Sequence, residues 1–237
     1  KQIAGIITQF SPIAEMASID EAFIDITGTE RLFGNPIDTA IKIKSKIEYE
    51  TKLKCTVGMA HNKLLSKIAS DLAKPNGFLV VDLDKIRQFL DPLPVTVLPG
   101  VGKQFVQILN QHGIHKVADV LKYSEIALTN LWGKVGSDIY QLALGNDDSP
   151  VNTTHVRKSI SNEWTFNDDI VNKSELYHKL RLLCDEITEK MLELKIIGRT
   201  IILKLRYADF TTFTRSNTIS IPTRSVKKIY RHASSML

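Results

Sequence analysis

Ser18-Ile19-Asp20-Glu21-Ala22-Phe23-Ile24-Asp25 sets two adjacent carboxylates between two short apolar runs, Pro12-Ile13-Ala14 and Ala22-Phe23-Ile24. Charge at the root of a strand is costly unless it pairs or binds a metal. Adjacent strand residues point to opposite faces, so one site can use both Asp20 and Glu21 only if the backbone bends or bulges there. A hairpin over about Ile13 to Ile26 supplies such a bend. The octapeptide alone also admits a plainer reading, in which Asp20 is a turn residue and Glu21 is solvated.

Around this stretch lies a chain of 237 residues, 43% hydrophobic and 24% charged, with a net charge of +5. That length suits one large domain or two to three small ones, each with a real core. The positive balance favours an anionic partner, nucleic acid before a membrane surface. No apolar run approaches the roughly 20 residues of a membrane span. The two cysteines, Cys55 and Cys184, sit in apolar patterns without C-x-x-C spacing. They read as buried free thiols of a reducing compartment, which points to the cytoplasm. The first and last residues follow helical patterns, so the chain reads as a piece of something longer.

Three stretches of different periodicity follow one another. In the first, residues 1–81, Asn35-Pro36 caps and opens a helix over Ile37, Ala40, Ile41, Ile47 and, less regularly, Ile43. Cys55 to Ala60 is a strand, and Asn62 caps a helix with Leu64, Leu65, Ile68, Ala69 and Leu72 on one side. Pro75-Asn76-Gly77 ends that helix, and Phe78 to Val81 is a buried strand. Such alternation predicts helices packed on a sheet. Residues 82–148 read as all helical, and 149–159 as a polar linker. Residues 160–237 read as β-α-β-β-α: a strand from Ile160 to Phe166, a long helix after Ser174, two strands through Ser220 and a last helix.

Leu98-Pro99-Gly100-Val101-Gly102-Lys103 places two glycines in a tight turn between short helices, where backbone N–H groups can hold an anion. With Leu109 and Gly113-Ile114 following, it resembles the helix-hairpin-helix motif, which grips phosphate without reading bases. A plain glycine turn between helices is the alternative. Lys63, Lys67, Asp71 and Lys74 share one helical stripe, which alone reads as solvated surface. In residues 160–237 Lys204, Arg206, Arg215 and Arg224 lie among threonines and serines. That composition suits backbone phosphates, or merely guards strand edges.

In order along the chain, Ser18 to Phe23, Thr56 to Lys63, Lys67 to Gly77, Pro99 to Gly102, Arg157-Lys158-Ser159 and Gly198-Arg199-Thr200 together resemble the Y-family translesion DNA polymerases. The resemblance implies an α+β multidomain fold: part of a palm (1–81), a helical thumb with its helix-hairpin-helix (82–148), a linker (149–159) and a little finger (160–237). It implies two Mg²⁺ ions, with Asp20 and Glu21 as ligands and catalytic carboxylates. Lys74 would meet the triphosphate of an incoming deoxynucleoside triphosphate. Gly100, Gly102, Lys103, Arg157, Lys158, Arg206 and Arg215 would hold primer–template DNA. It further implies a monomer, a first carboxylate, fingers and a ribonucleotide-excluding residue upstream of Lys1, and a tail beyond Leu237 that docks on a sliding clamp. The expected function is low-fidelity DNA synthesis past damaged bases, with the 237 residues alone only binding DNA. A non-catalytic DNA-binding paralogue and a helix-hairpin-helix repair protein are the competing readings.

Overall fold

A computed structural model describes residues 2–154 and 157–237. The chain divides into two compact units, 1–155 and 156–237. Parts of the expected linker, residues 155 and 156, lie outside the described residues.

The first unit opens with α1 (Gln2–Ile7) and a hairpin of β1 (Ala14–Met16) and β2 (Ala22–Ile24), paired antiparallel with Met16 opposite Ala22. Buried Ser11 pins the base of this hairpin: its hydroxyl donates to the Asp25 carbonyl at 2.5 Å and accepts from the Ile13 N–H at 3.1 Å. After the single turn of α2 (Glu30–Phe33), α3 (Pro36–Thr51) starts where Asn35 Oδ1 accepts from the Asp38 N–H. Its buried residues are Thr39, Ala40, Ile43 and Ile47, of which Ile43 and Ile47 pack with Ile6, Ile7 and Phe10 of the N-terminal segment. Of the predicted face, Ala40, Ile43 and Ile47 are buried and Ile37 and Ile41 are not. Ile43, predicted to be the irregular member, lies at the centre. Spacing by fours from Thr39 decides the face, and a buried threonine hid that row from an apolar count.

Strand β3 (Val57–Met59), helix α4 (Lys63–Leu72) and strand β4 (Phe78–Val80) form a parallel unit, with Val57 opposite Phe78. Among the described residues β1–β2 and β3–β4 are separate two-stranded ladders, not the single sheet the sequence suggested. The expected alternation of strand and helix is there, but three-residue strands with no hydrogen-bonded strand between them do not join. Helix α4 sits against β3 with almost no clearance. A Cβ on Gly58 would lie 2.1 Å from the Ser66 carbonyl oxygen and 2.3 Å from the Ser70 nitrogen.

The helical stretch holds α5 (Ile86–Leu90), α6 (Lys103–Gln111), α7 (Val117–Val120), α8 (Glu125–Trp132) and α9 (Lys134–Leu144). Its core of Leu90, Val95, Leu98, Leu109, Ile114, Val117, Val120, Leu128, Ile139 and Ala143 also takes in Leu64, Leu65 and Ile68 of α4. That helix thus packs forward into the helical stretch as well as back on β3. Long-range caps fix its first turn. Asn62 accepts from the Leu65 N–H and donates to the Gly145 carbonyl at 2.8 Å, and Asp147 accepts from the Leu64 N–H at 2.9 Å. At α7, Asp119 accepts from the backbone N–H groups of Lys116 (2.8 Å) and His115 (3.0 Å), and from the Lys122 ammonium (2.7 Å). The Lys122 ammonium first, and then these two N–H groups, hold the Asp119 carboxyl far below the usual carboxylate range.

The second unit contains α10 (Lys173–Glu193), β5 (Gly198–Arg206), β6 (Thr212–Thr223) and α11 (Val226–Ser234), with Leu180, Cys184, Met191, Ile229 and Ala233 at its core. Cys184 is a buried free thiol, as expected, whereas Cys55 is only half-buried. The predicted strand at Ile160–Phe166 is absent, so the order is α-β-β-α. That segment docks by side chains instead: Ile160 joins the core and Asn162 donates to Glu186 of α10. The β5–β6 register slips between Gly198 and Thr200, beside Pro222, which has no N–H to give a ladder.

Gly58→Ala is expected to destabilise the first unit by about 3 kcal/mol or more in urea unfolding, because the new methyl meets the α4 backbone at both Ser66 and Ser70. Asp119→Ala should cost about 1 kcal/mol at pH 7. A depressed carboxyl stabilises the fold above its ordinary pKa of about 3.9 and loses that contribution as the pH falls below it. The gap between Asp119→Ala and the parent should therefore narrow as unfolding is followed from pH 5 down to pH 2.

Candidate functional site

The bend required at Asp20-Glu21 is the hairpin loop itself. Ala17 and Ser18 both donate backbone N–H groups to the Glu21 carbonyl, at 2.9 and 3.2 Å, so the loop closes tightly over three residues' width. The Ser18 hydroxyl then organises it. It donates to Asp20 Oδ1 at 2.5 Å and accepts from the N–H groups of Asp20 (3.3 Å) and Glu21 (3.1 Å). Both carboxylates leave the loop before β2 begins, free of the alternation that would separate them along a strand. Asp20 is exposed and Glu21 half-buried.

Helix α4 supplies the opposing charge. Lys67 Nζ pairs with Glu21 Oε1 and lies 3.5 Å from Asp71 Oδ1. Lys74 Nζ is 2.7 Å from the same Asp71 oxygen. One turn earlier Lys63 Nζ is 2.7 Å from Glu15 Oε2 and 4.9 Å from the centre of the Phe23 ring. The stripe that sequence alone assigned to solvated surface thus runs alongside the hairpin as a chain, Glu21–Lys67–Asp71–Lys74. Sequence reasoning passed over Lys67 and Asp71 as site residues. Their shared stripe with Lys74 was the available signal.

The charges register in the acidities. The Ser18 hydroxyl, the Asp20 backbone N–H and then Lys74 and Lys67 hold Asp20 below the usual aspartate value. Burial pushes Asp71 up, but Lys74 and Lys67 together outweigh it and leave it lowered. The hydrogen bond to Glu21 raises Lys67 against a smaller effect of burial.

Lys74 itself is placed by the turn after α4. There Lys44 of α3 donates to Asn76 Oδ1 and to the Cys55 carbonyl, and pairs with Glu48 Oε1 at 2.7 Å. Gly77 packs so closely that a Cβ there would lie 2.1 Å from the Ala73 carbonyl oxygen.

Among the described residues no cluster of three or more histidine, cysteine or acidic side chains forms a metal cage. A pair of hard, solvent-accessible carboxylates is nonetheless what Mg²⁺ uses when phosphate oxygens and water complete its octahedron. The donor set fits an ion brought to the protein together with a phosphorylated substrate.

Elsewhere in the first unit, Gly100, Gly102 and Lys103 are exposed at the N-terminus of α6. Gly100 has φ +83°, which favours glycine, and a Cβ on either glycine would meet open space. The Gly102 N–H is spent on the Gly100 carbonyl at 3.1 Å. No side chain caps the helix at Gly102. The N–H groups that point outward are therefore those of the first turn, from Lys103 to Phe105.

In the second unit Arg157 and Lys158 are exposed. The β5–β6 register divides the other two predicted residues. Arg206 stands opposite Thr212, and its Nε donates to the Thr212 hydroxyl at 3.1 Å. It shares the open face with Lys204, Thr214, Ser216 and Thr218. Arg215 stands opposite Leu203, on the face toward the helices, and Nη1 donates to the Met236 carbonyl at 2.6 Å.

Two family models match the chain. Residues 1–71 match the impB/mucB/samB family and residues 157–237 match the impB/mucB/samB family C-terminal domain. The chain is 39% identical over all 237 residues to a DNA polymerase IV of Desulfatibacillum aliphaticivorans, and covers 60% of that protein. It is 37% identical over 230 residues, 97% of the chain, to the DNA polymerase IV of Caulobacter vibrioides, covering 57% of it. The chain thus spans about three-fifths of the length of these relatives. Among solved structures, a Y-family DNA polymerase chimera of Dbh superposes with a TM-score of 0.88 at 29% identity, over 99% of this chain and 67% of the chimera. An insertion ternary complex of Dbh DNA polymerase gives 0.61 at 26% identity, over 99% of this chain and 67% of that one. Likeness of this kind, in order and from one end of the sequence to the other, means that the chain belongs to the impB/mucB/samB family of Y-family DNA polymerases.

Proposed function

We propose that this chain carries part of the catalytic site and much of the DNA grip of a translesion DNA polymerase, which adds deoxynucleotides to a primer opposite damaged template bases. The observation that carries the reading is the placement of Asp20 and Glu21 side by side in one hairpin loop, against the lysines of α4. In this reading residues 1–81 are palm, 82–148 thumb and 160–237 little finger. The partners are primer–template DNA and a deoxynucleoside triphosphate. One of the structural relatives is an insertion ternary complex, which supports that choice.

Asp20 and Glu21 would hold two Mg²⁺ ions, which would acidify the primer 3′-hydroxyl and neutralise charge on the transferring phosphate. Little covalent work remains for side chains in phosphoryl transfer, so positioning and charge dominate. Ser18 orients Asp20 and keeps its carboxylate available. Lys74, steadied by Asp71 and by the Lys44–Asn76 contact, meets the triphosphate as a point charge. The first turn of α6 offers its N–H groups to a backbone phosphate, and the missing Cβ of Gly102 lets that phosphate approach. Arg157, Lys158 and Arg206 add sequence-independent contacts, and Arg215 supports them by fixing the chain end after α11 beneath the sheet. By itself the 237-residue chain is expected to grip DNA without extending primers.

A hybrid in which these 237 residues replace the matching segment of the Desulfatibacillum relative should extend a primer with Mg²⁺. Asp20→Ala or Glu21→Ala in that hybrid should slow extension about 10³-fold or more, while the Kd for DNA changes little. Extension at the parental rate by either variant would overturn the assignment. For the 237-residue chain itself, affinity for primer–template should fall about 40-fold between 50 and 200 mM salt if three phosphates are contacted. Gly102→Ala, which folds without a clash, should weaken that binding and flatten the salt slope. A Kd that ignores both salt and Gly102 would remove the phosphate grip.

A further inference from the structure

The Glu21–Lys67 pair is left over once the proposed roles are assigned. Lys67 touches neither the triphosphate lysine nor Asp20 directly. It spends its ammonium on a carboxylate that a metal would need. It is held there by more than chance rotation. Asp71 stands 3.5 Å away on the next turn of α4, and Lys74 stands 2.7 Å from that same Asp71 oxygen. Seating of α4 on β3 at Gly58 fixes the backbone that carries all three. The groups around Lys67 are thus Glu21 on the hairpin and Asp71 and Lys74 on the helix and its C-terminal turn.

We propose that Lys67 is the resident counter-ion of the metal-binding carboxylate, which must leave Glu21 before a divalent cation can be bound there. This rests on the reading of Asp20 and Glu21 as metal ligands and adds to it a barrier to loading. In the free protein Glu21 is already neutralised, so a divalent cation gains less there than at a bare carboxylate and also meets a like charge. The released ammonium then stands about two helical turns from Lys74, with Asp71 between them, where an incoming triphosphate gives it a new anion. Metal and nucleotide are thereby coupled: each makes room for the other, and the coupling is reciprocal. Asp71 is the positioning residue that keeps Lys67 within reach of both.

Mn²⁺ binding to the intact 237-residue chain, read by the loss of the free-ion electron paramagnetic resonance signal, tests this without catalysis. Four single variants and one double variant are compared with the parent at low salt. Lys67→Met should bind Mn²⁺ about tenfold more tightly, and the gain should shrink in high salt as screening weakens the repulsion. Lys67→Arg keeps the charge and should bind as weakly as the parent. Asp20→Asn and Glu21→Gln should bind more weakly still, and Glu21→Gln combined with Lys67→Met should show no gain. Circular dichroism of each variant verifies the fold. If the carboxylate variants bind less but Lys67→Met gains nothing, the counter-ion role is wrong and the metal site stands. If neither carboxylate variant changes Mn²⁺ binding, the metal site itself is wrong and the counter-ion role falls with it.

Discussion

Helix α4 lies so close to β3 that only a hydrogen fits between them at Gly58, and the rest of the first unit depends on that contact. A helix held at that distance has its rotation fixed as well as its position. One face, Leu64, Leu65 and Ile68, enters the core shared with the helices that follow. The other face turns Lys63, Lys67 and Lys74 along the β1–β2 hairpin and its loop. A slip of one residue would replace the ammonium beside Glu21 with an apolar or hydroxyl side chain. Packing and electrostatics are in this way two faces of a single steric constraint.

The hairpin contributes order that a two-stranded ribbon could not supply alone, since such ribbons are marginal in water. Ser11 ties its base, Ser18 ties its loop, and the Glu15–Lys63 contact binds its side to α4. The surface ion pairs here add little to stability individually. Their value is directional: they decide which way each carboxylate faces. Exposed carboxylates are cheap to keep charged and easy for an ion to reach, and both properties matter more here than burial would.

Much of this was legible in the sequence. Asn35 and Asn62 announced their helices, the Pro-Gly-Val-Gly turn announced α6, and Asp20-Glu21 announced the loop. Each is a local signal whose chemistry acts within four residues. The failures share a cause, because each depended on register or partners set at long range. The buried face of α3 turned on Thr39, whose burial is decided by its neighbours. The segment at Ile160 alternates like a strand but docks by side chains. Arg206 and Arg215 look equivalent in sequence, yet their parity across the ladder sends them to opposite faces. The lysine stripe was visible, but its partners come from a hairpin more than forty residues earlier.

At the N-terminus of helix α4 the Leu64 N–H donates to Asp147 and the Asn62 side chain donates to the Gly145 carbonyl, each more than eighty residues downstream. The loop that these contacts close contains the whole helical stretch, so its entropy has to be met before the caps can form. During synthesis, the first turn of α4 therefore gains these two contacts only after the residues through Asp147 have been made. A nascent chain that ended before Asp147 would carry the carboxylates on a hairpin facing a helix without these N-terminal contacts. The order of assembly thus ties the helix that faces the acidic loop to a short segment just past α9 that contributes nothing to its chemistry.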